Sequence, residues 1–553
     1  MCSEEIMNAN ETPSGCAPVL NHRDRVAVSS TLYRHALCVL CVLCGIPVLS
    51  FVPRCLRGLI ALCVLCGNPV GLSFRLAFLR LLSFVPRCLR GLIALCVLCV
   101  LCGNPFGSAF GAQPGSLDTG FNPGTGVDQS VFAIAVQSDG RIIIAGDFNT
   151  VNGTPHKGVA RLATNGVVDP NFSAGDGPDD VVNAVALQGS KLIIGGYFSS
   201  VDTTSQPYIA RLGTNGTLDT SFDTGTGPDG PVLALAVQPD GKVLLAGTFN
   251  TVDGIARTNI ARLNSNGSVD MGFDPGEGVS AELFSSVNSI ALQADGKVVI
   301  GGAFSKYDGT PRNNLARLNT NGVLDAQFTP FVGLAGAGVL AGVNALAIQG
   351  DGRILLGGDF TSASGSARTN LARLNSNGGV DLNFDPGAGP DAPVTSLAVQ
   401  ENGKIVIGGF FTHVNGTAQS YIARLNTNGL PDTGFITGSG PSDAVYVTAL
   451  QSDGQVLIGG TFTNFNTVPR HGIARLQGDA VAGPPILFNP NRSGTTFAVS
   501  VMTVSGKNYF LEFKNAVSDS WTPLPSVPGN GATQVLTDPS STGPHRFYRV
   551  RVQ

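Results

Sequence analysis

Six times in this chain of 553 residues an arginine stands eight positions before an aspartate: Arg161 and Asp169, Arg211 and Asp219, Arg262 and Asp270, Arg317 and Asp325, Arg373 and Asp381, Arg424 and Asp432. Each arginine sits in an Ala-Arg-Leu triplet, each aspartate opens an Asp-x-x-Phe motif, and x-Asn-Gly lies between them. If that tripeptide is a three-residue hairpin loop, the two charges stand directly opposite on one sheet face, where a cross-strand ion pair supports the pairing. Recurrence in every unit suits packing better than a single active site. A second set of carboxylates, Asp176, Asp179, Asp223, Asp229, Asp274, Asp385 and Asp391, falls in Gly/Pro-rich connections. Hard oxygen ligands of this kind suit Ca²⁺, but nothing matches D-x-[DN]-x-[DN]-G, so turn formation is the favoured reading and no metal or cofactor is expected.

Other catalytic chemistry has less to draw on. The four histidines after residue 112, His156, His413, His471 and His545, occupy non-equivalent positions, and neither G-x-S-x-G nor a metal-type histidine pair occurs. All twelve cysteines precede residue 103. The C-x-x-C spacings among them lie in apolar Leu/Val runs without the shaped polar loops that zinc or redox sites need. A glycosidase or lyase built from carboxylates of separate blades stays open as the alternative.

These residues are placed by a repeat. The glutamines closing each first strand, Gln137, Gln188, Gln238, Gln293, Gln349, Gln400 and Gln451, are spaced 51, 50, 55, 56, 51 and 51 residues apart. One unit shows four β-type runs, here a to d: Leu233 to Gln238, Lys242 to Phe249, Asn259 to Asn264 and Ser268 to Phe273. Pro239-Asp240-Gly241 and Ser265-Asn266-Gly267 are tight-turn signals joining a to b and c to d. Two hairpins per unit make a four-stranded meander, the blade of a β-propeller. The composition agrees: 13% charged residues, 72 glycines and 33 prolines describe a turn-rich all-β chain. A net charge of −4 without a basic stripe argues against nucleic acid.

The last Ala474-Arg475-Leu476 has no Asp-x-x-Phe after it, whereas Asp118 and Phe121 precede the first strand a. Seven blades balance only if Leu117 to Phe121 completes the seventh, which makes Arg475 and Asp118 the seventh pair and removes two open sheet edges. Meander topology then puts the a-b and c-d turns on one face and the longer b-c and d-a connections on the other. The longest d-a insertions, Glu277 to Ser286 and Thr329 to Gly342, are the first binding candidates, the second with apolar Phe331 and Leu334. The motif V-x-A-[LI]-A-[VL]-Q-x-D-G-[KR], followed by a Gly pair and then [IVL]-A-R-L-N-x-N-G-x-[LV]-D-x-x-F, resembles the delta-60 repeat family of bacterial proteins over about 117–477. That resemblance implies a propeller and brings no catalytic residues.

The ends differ from the body. Leu49 to Cys66 recurs almost unchanged at Leu82 to Cys99, and Arg87, Arg90, the apolar Gly91 to Cys102 and small residues around Ala109 to Gly111 have the anatomy of a signal peptide over 88–111. The expected domains are therefore a leader over 1–111, a seven-bladed propeller over 112–480 and a small β-sandwich over 484–553 with Phe510, Trp521 and Tyr548 in its core. The last of these resembles C-terminal modules of large secreted proteins of Verrucomicrobia-type bacteria. Together the expectation is a monomeric, secreted or cell-surface binding scaffold for protein or glycan, with no membrane span in the mature chain.

Overall fold

The computed structural model describes residues 113–330, 332–333, 342–479, 487–503, 508–516, 519–529, 532–541 and 546–552. All of these lie in the unit Ser108–Gln553. The leader, Phe331 and Leu334 lie outside the described residues.

Seven three-stranded antiparallel sheets follow one another in the order a-b-c. Blade 1 is Ser130–Val136, Ile142–Asp147 and Val159–Leu162; blade 7 is Val445–Leu450, Val456–Gly460 and Ile473–Leu476. Each strand b is buried along its whole apolar run, because one side of it faces the preceding blade and the other the following one. Thus Ile143 packs with Leu192 and Ile194 of blade 2, while Ile142 and Ile144 pack with Leu457 of blade 7. The hydrophobic core therefore lies between the blades. Each strand a packs on the strands a of both neighbours, and Ser130–Val136 meets Val445–Leu450, so the ring is closed.

Strand d is shorter than the sequence suggests. In place of a run from Ser268 to Phe273, it is a single bridge, Leu263 to Val269, and its counterparts recur in every blade. The reason is Asp-x-x-Phe, which turns: the amide of Phe273 donates to the carbonyl of Asp270 at 3.1 Å, and Gly272 N donates to Asp270 Oδ1 at 2.9 Å. A residue so bound to its own chain has left the ladder.

The seventh blade takes its outer strand from the N-terminal side. Leu117 bridges Leu476, Asp118 N donates to Arg475 O at 2.8 Å, and Gly115 N donates to Gln477 O at 2.7 Å. Phe121 is fully buried among Leu457 and Ile473 of blade 7 and Ile142 and Ile144 of blade 1.

The b-c and d-a connections are not the irregular loops their composition implies. Thr150–Val151 and Thr154–Pro155 form a hairpin whose turn residues Asn152 and Gly153 both have positive φ, 52° and 72°, the demand of a tight mirror-image turn. The d-a connection adds a third short strand through Val127 on Val151. Even the two long insertions obey this pattern, with Val279–Ser280 on Lys306–Tyr307 and Val332–Gly333 on Ser362–Ala363.

The C-terminal module has two sheets, one of Leu487–Ser493, Thr496–Met502 and Thr533–Asp538, the other centred on Asn508–Lys514 and Phe547–Val552. Val499, Val501, Tyr509, Leu511 and Leu536 fill the space between them, and Tyr548 packs against that core. Phe510 and Trp521 do not join it. Phe510 alternates with Tyr509 and Leu511, so the pleat turns it outward, where Arg551 covers it at 4.3 Å, and Arg549 covers Trp521 at 4.5 Å.

Closure yields a prediction. Phe121→Ala should destabilise the propeller by about 3–5 kcal/mol, the usual cost of emptying a fully buried phenylalanine site. Thermal denaturation measures this, and an unchanged midpoint would show that the N-terminal segment does not hold the ring.

Candidate functional site

The two faces of the ring differ in kind. On the a-b/c-d face each blade repeats one assembly. In blade 3, Arg262 Nε donates to Asp270 Oδ2 at 2.7 Å, the guanidinium lies 4.9 Å from the centre of the Phe273 ring, and Nη1 donates to Thr320 O of the next blade at 2.6 Å. The arginine thus joins its own c-d hairpin to its neighbour. Arg161 bonds Asp169 and reaches Thr214 O, Arg211 bonds Asp219 and reaches Ser265 O, and Arg373 bonds Asp381 and reaches Thr427 O. Arg475 does the same around the closure, on Asp118 at 2.7 Å and Thr164 O of blade 1 at 2.6 Å. Arg424 finds Asp479 in place of the usual carbonyl, because blade 7 has no c-d hairpin of its own.

A further cation joins six of the seven pairs, while blade 7 has Gln455 at that position. Lys191, Lys242, Lys297 and Lys404, the residues after Asp-Gly or Asn-Gly in the a-b turn or its equivalent, bind Asp219, Asp270, Asp325 and Asp432 at 2.7–2.9 Å. Arg141 and Arg353 serve Asp169 and Asp381. Sequence reading passed over this group, although its position in the repeat was visible. The pairing decides the electrostatics. Burial works against ionisation of Asp169, but Asn171 N, Arg141 and Arg161 outweigh it and hold the carboxyl at about 2. Lys242, Gly272 N and Arg262 likewise overcome burial and hold Asp270 at about 2. A cleft of about 380 Å³ opens on this face between blades 5 and 6, but its charged groups are the same assembly: Arg353 bridges Asp351 at 2.9 Å and Asp381 at 3.2 Å.

On the opposite face the loop aspartates stand as separate groups in successive blades. Asp179 Oδ1 accepts from Ser199 N and Ser200 N, Asp229 Oδ1 from Asn250 N and Thr251 N, and Asp391 Oδ1 from Thr412 N and His413 N. Each ties its d-a connection to the b-c hairpin of the same blade. Burial opposes ionisation of Asp179 and Asp391, yet these donors hold both at about 2. Asp223, Asp274 and Asp385 accept from amides two residues on, the Asx-turn geometry. Asp176 offers its amide to Asp202 Oδ1. No group of three or more metal-ligating side chains occurs among the described residues, and no described helix is long and apolar enough to cross a membrane.

A second set of variable positions lies nearer the axis. In every blade the second residue of the V-x-A motif is a β-bulge, left without a partner on strand b; in blade 1 the register jumps from Val131–Gly146 to Ala133–Ala145. A glycine opposite makes room for it: a Cβ on Gly247 would strike the carbonyl of Pro231. The seven bulged residues are Phe132, Asn183, Leu233, Asn288, Asn344, Thr395 and Tyr446, three asparagines among aromatic, aliphatic and hydroxyl side chains. They meet around the inner ring. Phe132 and Tyr446 lie 5.1 Å apart between ring centres, Asn288 Nδ2 donates to Asn344 Oδ1 at 3.3 Å, and Thr395 Oγ1 donates to Val445 O at 2.8 Å. The residue ending strand b or following it varies as well: Asp147, Tyr197, Thr248, Ala303, Asp359, Phe410 and Thr461. Bulges commonly re-aim a side chain beside a functional site.

The chain is a seven-repeat β-propeller. Its segments 137–172, 190–222, 238–273, 293–328, 349–384, 400–435 and 451–479 match the family described as "Domain of unknown function (DUF5122) beta-propeller". No curated protein matches the chain. Among solved structures, a bifunctional GH43-CE protein of Bacteroides eggerthii is similar at 12% identity with a TM-score of 0.24, over 77% of this chain and 55% of that one. The chain thus spans about half the length of that structure, and a likeness of this size carries no argument about activity.

The arginine assembly can be tested in two ways. Arg262→Ala leaves Asp270 buried beside Lys242 alone and should cost about 3–5 kcal/mol, read by urea denaturation; a loss below about 1 kcal/mol would mean that the pair is only a surface contact. The carboxyls held near 2 have folded values below their ordinary 3.8, so their contribution is present above that value and declines as protons bind at lower pH. Stability should accordingly be level above pH ~5 and fall steadily toward pH ~2, with a flatter fall in Asp270→Asn.

Proposed function

We propose that this chain is an exported, monomeric binding scaffold without catalytic activity, taking a protein or glycan on the b-c/d-a face of its propeller outside the cell or at the bacterial surface. The contrast between uniform and varied positions supports it. The Arg-Asp pair that holds the ring together recurs seven times, while the bulged positions around the axis carry Phe, Asn, Leu, Thr or Tyr. A recurring framework that carries mixed side chains at one end of its axis suits recognition of an asymmetric ligand.

The state of the carboxylates supports binding over hydrolysis. A general acid needs its proton near neutral pH and therefore a raised value. Among the described residues every carboxylate with a resolved shift goes the other way, including Asp169, Asp270, Asp381, Asp391, Asp432 and Glu512. Export rests on the signal-like leader, and a bacterial origin on the resemblance of the repeats to the delta-60 family.

The test is turnover. The purified full chain, incubated with neutral polysaccharides, glycoproteins and nitrophenyl glycosides and esters, should release no product while binding saturably to cell-surface material. Hydrolysis that disappears in Asp147→Asn or Asp359→Asn would make the protein an enzyme and overturn the scaffold reading.

A further inference from the structure

We propose that the mouth of the propeller axis on the b-c/d-a face is a binding site for a neutral saccharide, with Phe410, Tyr446 and Phe132 as the platform for a sugar ring. This rests on the scaffold reading above and names its ligand class. The placement follows from topology. Strand a is innermost in each blade and begins at the d-a connection, so its bulged second or third residue lies close to the mouth on that face. The last residues of strand b reach the same end.

Three aromatic rings form a continuous run there. Phe410 of blade 6 lies 5.7 Å from Tyr446 of blade 7 in an edge-on arrangement, and Tyr446 lies 5.1 Å from Phe132 of blade 1. Phe410 is 45% exposed although large and apolar, and Tyr197, at the equivalent position of blade 2, is 46% exposed. Most phenylalanines of the repeats, such as Phe148, Phe249 and Phe411, are buried, whereas Phe410 packs edge-on against Tyr446 and leaves nearly half of its surface open.

The polar part of the ring has matching chemistry. Asn183, Asn288 and Asn344 supply amides at the bulged positions of blades 2, 4 and 5, and the Asn183 Oδ1 has no hydrogen-bond donor among the described residues. Asp147 and Asp359, at the equivalent positions of blades 1 and 5, make no ion pair among the described residues, unlike the aspartates of the opposite face. Amides and carboxylates are acceptors and donors suited to vicinal hydroxyls, while an aromatic face takes the apolar C–H side of a pyranose. No lysine or arginine occupies any of these fourteen positions. An anionic ligand would meet two carboxylates and no cation, so the ring favours a neutral sugar over a phosphate, an acidic polysaccharide or a nucleic acid.

Affinity electrophoresis of the full chain through gels carrying β-glucan, mannan, galactan or xylan tests this. At least one neutral polymer should retard the wild-type chain, and Phe410→Ala should weaken that binding about tenfold, the effect of removing one anchoring aromatic. Tyr197→Ala is the second variant, since both side chains are exposed and neither change should move the melting temperature. Asp147→Asn should weaken binding less and leave it independent of salt. Retardation by none of the polymers, or equal retardation of wild type and both aromatic variants, overturns the saccharide site. Saturable binding of a surface protein instead would overturn this inference while leaving the scaffold reading intact, whereas product release would overturn the scaffold reading itself.

Discussion

A blade of three strands and one bridge has two large apolar faces and cannot exist alone, so everything in this molecule depends on how one blade is held to the next. Apolar burial supplies most of the attraction, since strand b is covered on both sides. It does not by itself set the register between blades. That is done by the buried arginine of strand c, whose guanidinium has one edge on its own aspartate, one nitrogen on the neighbouring hairpin and a phenylalanine ring against its plane. The planar fork of arginine serves three directions at once, which a lysine ammonium does not do. Each aspartate then needs its cations, since a buried carboxylate left alone is costly.

This arrangement accounts for where the chain is uniform and where it is free. The c-d hairpin cannot vary, because it receives an arginine from the preceding blade and presents one to the following blade. The loop face is constrained by a lighter set of bonds, in which Asn152, Asp202 or Asp253 at the hairpin tip accepts an amide of the d-a connection, and Asp128, Asp179 or Asp229 caps the hairpin base. The bulged residue of strand a stands outside these bonds, with no residue opposite it in the a-b ladder. Diversity at this position costs the framework little.

Much of the frame was legible in the chain itself. The eight-residue interval from Arg262 to Asp270 with Ser-Asn-Gly between them implies a three-residue hairpin loop with the charges opposed, and the early Asp118 with its Phe121 implies ring closure. Other features were written in the sequence but needed a second signal to read. The Asn152-Gly153 pair marks a hairpin inside what composition alone describes as a loop, and the cation that follows six of the a-b turns stands 28 residues before the aspartate it meets, in Lys242 and Asp270 for example. Phe510 shows the converse: an aromatic residue suggests a core, but only the pleat decides which side of a strand it occupies.

The sequence by itself determined the repeat, the number of blades, the closing segment and the pairing within each c-d hairpin, because these follow from local spacing and turn chemistry. Tertiary structure alone decided which residues of different blades become neighbours. The bond from Arg262 to Thr320, the run of Phe410, Tyr446 and Phe132, and the placing of seven bulged side chains about one axis all join residues of different blades, 36 or more positions apart. Spacing along a chain records the strand to which a residue belongs; the angle between one blade and the next, set by packing, records what it faces.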